Sequence, residues 1–261
     1  MKEIIHGTEI HYELKGNGES KVLLLHGWGC DMSLMAPVAD ALLPDCQVLL
    51  VDFPGHGDSG RPPEPWGVPD FSLCVEELLS KLNFAPCNVI AHSFGCRIAT
   101  WLAAYRPSLF QKLVFTGGAG IRPKPSEESA KRTAHYKKLK KYCNSIGKIP
   151  LIGAAGSIFE KKLRQKYGSR DYNALDDEMR KTFVQVINLD LCNLYEKFRS
   201  STLLIWGDSD TETPLWMGEE MEKRIPDAGL VIFEGGSHFA YLEQLPRFVT
   251  ICRHFLKGVE A

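Results

Sequence analysis

The sequence predicts an α/β protein, a mostly parallel, doubly wound sheet with a helical block inserted between two of its strands. Short apolar runs of strand length alternate with helix-spaced segments at both ends of the chain. Those runs are apolar throughout, as strands buried on both faces are, rather than alternating polar and apolar. Between 121 and 200 such runs become rare, while charge and helical spacing increase. This places a core domain at 1–120 and 201–261 and an insertion at 121–200.

Taken in order, Glu3 to Leu14 alternates around His6-Gly7-Thr8, as a small antiparallel hairpin does. Lys21 to Leu25 is the first buried strand and leads into His26-Gly27-Trp28-Gly29. A helix is expected from Met32 to Leu43. A second strand, Gln47 to Val51, runs into Asp52-Phe53-Pro54-Gly55-His56-Gly57-Asp58-Ser59. After a Gly- and Pro-rich loop, Asp70 is expected to cap a helix carrying Leu73, Leu78, Leu79 and Leu82. The strand Asn88–Ala91 meets His92-Ser93-Phe94-Gly95 and then a helix with Ile98, Ala99, Leu102 and Ala103. A strand at Lys112–Thr116 closes the first half. Beyond the insertion, strands at Thr202–Trp206 and Leu230–Phe233 alternate with helices at Trp216–Arg224 and Leu245–Leu256.

Composition narrows the function classes. The 261 residues are 44% hydrophobic, enough for a sizeable core, and carry a net charge of -1 with a pI of about 6.7. Neither nucleic acid nor an anionic membrane surface is expected as a partner of so balanced a chain. No apolar run approaches the roughly 20 residues a membrane span requires. The N-terminus lacks the apolar core and cleavage site of a signal peptide. The eight cysteines are scattered without a C-x-x-C pair, so reduced thiols and a cytoplasmic location are expected.

The chemistry centres on Ser93. A serine at a sharp strand-to-helix turn has its hydroxyl pushed above the sheet edge, and the positions two before and two after it must be small. Ala91 and Gly95 satisfy that. The pentad alone also fits a serine that merely caps a helix. Two further groups change the balance, because ligands of open α/β sheets bind beyond the carboxyl ends of the strands. Asp210 follows the strand ending at Trp206, and His238 follows the strand ending at Phe233. A serine hydroxyl needs a base to take its proton, which is the task of His238. A carboxylate must orient that imidazole and stabilise its cation, the task of Asp210. Asp208 lies only two residues away, and the spacing to Gly207 and Pro214 favours Asp210. Charge developing on an attacked carbonyl oxygen needs preset donors, for which the N–H groups of Phe94 and Trp28 are the candidates.

Five segments in register resemble the α/β-hydrolase superfamily: His26-Gly27-Trp28-Gly29, Asp52 to Ser59, Ala91 to Gly95, Gly207 to Pro214, and Gly236 to Pro246. The resemblance spans the chain outside the insertion and departs from the usual pattern at Ala91 and Cys96, where glycine is common. It implies an α/β-hydrolase fold with a helical cap and a carboxylesterase-like serine hydrolase using Ser93, His238 and Asp210. It also implies an acyl-enzyme intermediate and neither metal nor organic cofactor. Serine at the turn argues against the branches that dehalogenate or open epoxides. A carbon–carbon bond hydrolase with the same triad, and a small-molecule receptor with little turnover, stay open. His26 is expected to support the oxyanion turn, Asp52 to organise its loop, and His92 and His254 to be structural.

Residues 121–200 hold 18 Lys and Arg against 9 Asp and Glu, whereas the rest of the chain is acidic. Solvated helix faces are the plain explanation. The alternative is a basic lid that attracts an anionic substrate or an acidic carrier protein. The expected partner is a small acyl substrate, and the expected assembly a monomer or homodimer.

Overall fold

The computed structural model describes residues 1–43, 45–122, 131, 134, 135, 138 and 170–257. Eight strands form one sheet in the order β1-β2-β4-β3-β5-β6-β7-β8. They are β1 (Lys2–Ile5), β2 (Thr8–Lys15), β3 (Ser20–Leu25), β4 (Cys46–Val51), β5 (Cys87–His92), β6 (Phe110–Thr116), β7 (Ser201–Gly207) and β8 (Ala228–Phe233). From β4 to β8 every pairing is parallel, and the β1–β2 hairpin joins β4 antiparallel. The hairpin turn uses His6 and Gly7 at φ 47° and 75°, the left-handed pair that matches the twist of its strands.

Side chains of the parallel strands alternate between two apolar layers. Leu23, Leu25, Val89, Ala91, Leu113 and Phe115 face the layer of α2 (Val68–Lys81) and α3 (Phe94–Tyr105). Val22, Leu24, Val48, Leu50, Ile90 and Val114 face the layer of α1 (Ala36–Leu42) and the C-terminal helix Leu245–Lys257. Both faces of the sheet are therefore dry, which explains why its strands read as unbroken apolar runs.

Two helix starts differ from expectation. The segment expected as one helix from Met32 is a 3₁₀ turn, Met32–Leu34, followed by α1. Pro37 lacks an N–H and fits only the first turn of a helix, so it forces a restart there. Asp70 sits inside the first turn of α2 rather than at its cap. Its carboxylate accepts from the Gly67 N–H at 2.7 Å, and its own N–H donates to the Gly67 carbonyl at 3.2 Å.

The chain divides into two compact units, one of Met1–Arg122 with Val184–Ala261 and the other Pro123–Phe183. Residues 184–200, placed in the insertion from sequence, group with the sheet. In the second unit, Asp176 caps a helix by accepting from the N–H groups of Glu178 and Met179 at 3.1 and 3.0 Å. Among the described residues no helix is long and apolar enough to cross a membrane. The seven cysteines among them are free thiols, and Cys143 lies outside them.

Candidate active site

Strand order reverses between β3 and β5: the chain passes from β3 to β4 on one side and returns to β5 on the other. Loops leaving the carboxyl ends of β3 and β5 consequently diverge and leave a crevice between them. Ser93 stands there, between β5 and α3, at φ 49° and ψ -107°. Such a backbone costs a non-glycine residue about 1–3 kcal/mol and persists only where its surroundings impose it. They do so here. The Ser93 N–H donates to the Thr116 carbonyl at 3.2 Å, its carbonyl accepts from Ala119 at 3.2 Å, and the Gly95 N–H donates to the His26 carbonyl at 3.1 Å. A Cβ on Gly95 would lie 2.6 Å from the Leu25 carbonyl oxygen, so no larger residue fits. Cys96, where the sequence departs from the usual pattern, is fully buried, and its thiol donates to the Ala91 carbonyl at 3.1 Å.

The other side of the crevice is the turn after β3, which carries Trp28. Cys30 N–H donates to the Gly27 carbonyl, and Gly29 takes the φ of 69° that a type II turn demands at its third position. His26 is buried, with Nδ1 2.7 Å from the Gly27 carbonyl and Nε2 accepting from the Phe53 N–H at 3.0 Å. Burial pushes its pKa down to about 4, so the ring is neutral. Trp28 and Phe94, whose N–H groups were the oxyanion candidates, pack edge to face with centroids 5.2 Å apart. His56 packs edge-on to Trp28 and stacks on Phe94. The Phe94 N–H is the first of α3, where helix N–H groups have no partner within the helix. Asp52, as expected, ties its loop together: its carboxylate accepts from the N–H groups of Met32 and Asp58 and lies 2.9 Å from His11 Nδ1.

Asp210 and His238 meet. Nδ1 of His238 lies 2.8 Å from Oδ2 of Asp210, which is 4% exposed. The same carboxylate accepts from the N–H groups of Glu212 and Thr213 and from the Thr213 hydroxyl, all within 2.9 Å. Burial alone would raise the Asp210 pKa, but the hydrogen bond and charge interaction with His238 and the hydrogen bonds from Thr213 outweigh it and hold it below the ordinary carboxylate value. Asp208 is exposed and bonds elsewhere, accepting from the Gly235 N–H at 2.8 Å. Glu243 accepts from the N–H and hydroxyl of Ser237, clamping the loop just before His238.

Ser93 and His238 share a neighbourhood through Gly117. That residue follows Thr116 at φ 52°, and a Cβ there would come within 3.0 Å of His238 Nδ1. Among the described residues no hydrogen bond joins the Ser93 hydroxyl to His238. Such contacts are often long without substrate. Sequence reasoning missed Gly117, Thr213 and the place of His92. The Gly117-Gly118 pair at a strand end was the available signal for the first, whereas Thr213 and His92 carried none that separates them from ordinary loop and strand residues. His254 is exposed on the last helix.

A strained serine at the switch point of a parallel sheet, with a buried carboxylate–imidazole pair beside it, defines an α/β-hydrolase arrangement. The chain belongs to the alpha/beta hydrolase family, whose model matches residues 22–250. A pimeloyl-[acyl-carrier protein] methyl ester esterase of Neisseria meningitidis is 26% identical over 255 residues, covering 92% of this chain and 94% of that protein. A poly(3-hydroxyalkanoate) depolymerase of Ectopseudomonas oleovorans is 27% identical over 240 residues, covering 90% and 84%. Among solved structures, the enol-lactonase from Burkholderia xenovorans LB400 matches in fold with a TM-score of 0.75, at 22% identity over 99% and 100% of the two chains.

Proposed function

We propose that this protein is a serine hydrolase that cleaves a carboxylic ester. The observation that carries the reading is the 2.8 Å pairing of buried Asp210 with His238, set beside the strained Ser93 turn. In this reading, Nε2 of His238 takes the Ser93 proton as Oγ attacks the ester carbonyl carbon. Asp210, an acceptor only, holds Nδ1–H and stabilises the imidazolium. The N–H groups of Phe94 and Trp28 receive the charge on the carbonyl oxygen, each worth roughly 2.7–4 kcal/mol of barrier. The imidazolium then protonates the departing alkoxide as the C–O bond breaks. Water, deprotonated by the same histidine, attacks the acyl-enzyme and releases the acid. The esterase and depolymerase names of the relatives support an ester as the bond cleaved.

The test is a panel of p-nitrophenyl esters of rising acyl length. Hydrolysis is expected for short to medium chains and none for Ser93→Ala; full turnover by folded Ser93→Ala defeats the reading. The charge of residues 121–200 and the carrier-protein ester named for the Neisseria relative favour an anionic acyl substrate or one borne by an acidic carrier. Matched anionic and neutral esters across a salt series decide this. A kcat/KM that falls with salt for the anionic ester alone supports it, since exposed charges are screened over about 8–10 Å at physiological ionic strength. Equal salt dependence removes it.

A further inference from the structure

We infer that His92 is a positioning residue, fixing the base of this site by a hydrogen bond to the main-chain carbonyl of His238. The inference rests on the roles proposed above for Ser93 and His238. His92 ends β5 and is 1% exposed. Its Nε2 lies 3.0 Å from the His238 carbonyl oxygen. A carbonyl oxygen only accepts, so Nε2 carries the proton and Nδ1 is a bare lone pair. That Nδ1 is buried without a hydrogen-bond partner.

The ring is enclosed on several sides. Its centroid lies 4.7 Å from that of His238, 4.8 Å from Tyr241 and 5.1 Å from Phe239. Across from them is Gly27, where a Cβ would stand 2.9 Å from His92 Nδ1 and 3.4 Å from the Ser93 Cβ. One imidazole is thus joined by the chain to the nucleophile, packed on the oxyanion turn and hydrogen-bonded to the backbone of the base. An apolar ring would fill the same space without leaving a nitrogen unsatisfied, which is what a position chosen for packing alone favours. The polar ring is explained by its donor. Burial, followed by the neighbouring His238, holds its pKa down to about 3, so the ring stays neutral and the tautomer persists through neutral pH. Asp210 restrains His238 at Nδ1 and His92 restrains it at the main chain, and together they fix where Nε2 stands. A displacement of about 1 Å at such a group costs on the order of 100-fold in rate.

The experiment compares His92→Phe, His92→Asn and His92→Gln by kcat and KM on p-nitrophenyl acetate, with melting curves and Ser93→Ala alongside. A glutamine amide nitrogen reaches the place of Nε2, whereas the shorter asparagine does not and phenylalanine has no donor. His92→Phe and His92→Asn are expected to lose kcat by roughly 10- to 100-fold with KM nearly unchanged, and His92→Gln to recover most of that loss. Parent-like kcat in His92→Phe overturns the inference. So does a His92→Gln as slow as His92→Asn when both melt alike, because a merely structural role does not distinguish the two amides. Turnover by Ser93→Ala defeats the underlying reading instead. An inert Ser93→Ala beside unimpaired His92 variants defeats this inference alone.

Discussion

The turn after β5 and the loop after β7 each bring one side chain to the carboxyl edge of the sheet, by different physical means. Ser93 is held by steric exclusion added to main-chain hydrogen bonds: Gly95 lies against the Leu25 backbone, and Ser93 itself keeps a left-handed φ. Asp210 is held by hydrogen bonds, from the main chain of Glu212 and Thr213, the Thr213 hydroxyl and His238. Steric exclusion leaves its mark on the residue types two positions either side of the serine. A hydrogen-bonded loop leaves a fainter one, here only the spacing of Gly207 and Pro214 about Asp210, because backbone donors are the same for every residue but proline.

The largest effect expected from this contrast is at the carboxylates. Asp210→Asn should lower kcat by about 10⁴-fold on p-nitrophenyl esters, because an amide can donate to the imidazole and favour the wrong tautomer. Asp208→Asn, whose exposed side chain accepts from Gly235 and Ser209, should change it by less than about tenfold. The reverse ranking would assign the acid to Asp208.

On the steric side, Gly95→Ala should destabilise the fold by about 1–3 kcal/mol, read as a lowered denaturant midpoint. The added methyl meets the Leu25 carbonyl oxygen at 2.6 Å and the Leu25 Cβ at 2.8 Å, and neither can move without moving β3. An unchanged midpoint would mean that the turn has slack.

Acid sharpens the comparison through two separate windows. His26 is neutral when folded, with its pKa down at about 4 against an ordinary 6.5. Only the unfolded chain takes up its proton between those values, so stability falls as pH drops from about 6.5 and levels off near 4. The loss is on the order of 3 kcal/mol. Asp210 has the opposite charge type and a lowered pKa, so its contribution is intact above the ordinary carboxylate range and is lost only as pH falls below it. Unfolding free energy measured from pH 7 to 4 should therefore fall for the parent and fall less for a folded His26→Gln variant. A flat profile in the parent contradicts the neutral buried ring.

Much of this was legible in the sequence because the sheet is dry on both faces. Val22 to Leu25, Val48 to Val51 and Leu203 to Trp206 announce themselves as strands without any partner being known. The small-residue turn around Ser93, the loop glycines and the positions of Ser93, Asp210 and His238 just after parallel strands were equally open to reading. Contacts between distant segments were not. His92 reads as a structural residue of the turn beside Ser93 until the loop after β8 brings the His238 carbonyl to it, 146 residues along the chain. The helix after Met32 was overextended because its apolar spacing continues across Pro37, whose missing N–H the periodicity does not register.

The most direct test of the central claim is covalent. Purified protein treated with a fluorophosphonate, then digested and examined by mass spectrometry, should carry one adduct on Ser93. Labelling should slow sharply in His238→Ala and disappear in Ser93→Ala. Stoichiometric labelling of another residue, or ester hydrolysis that continues after Ser93 is fully modified, would contradict the assignment of Ser93 as the nucleophile.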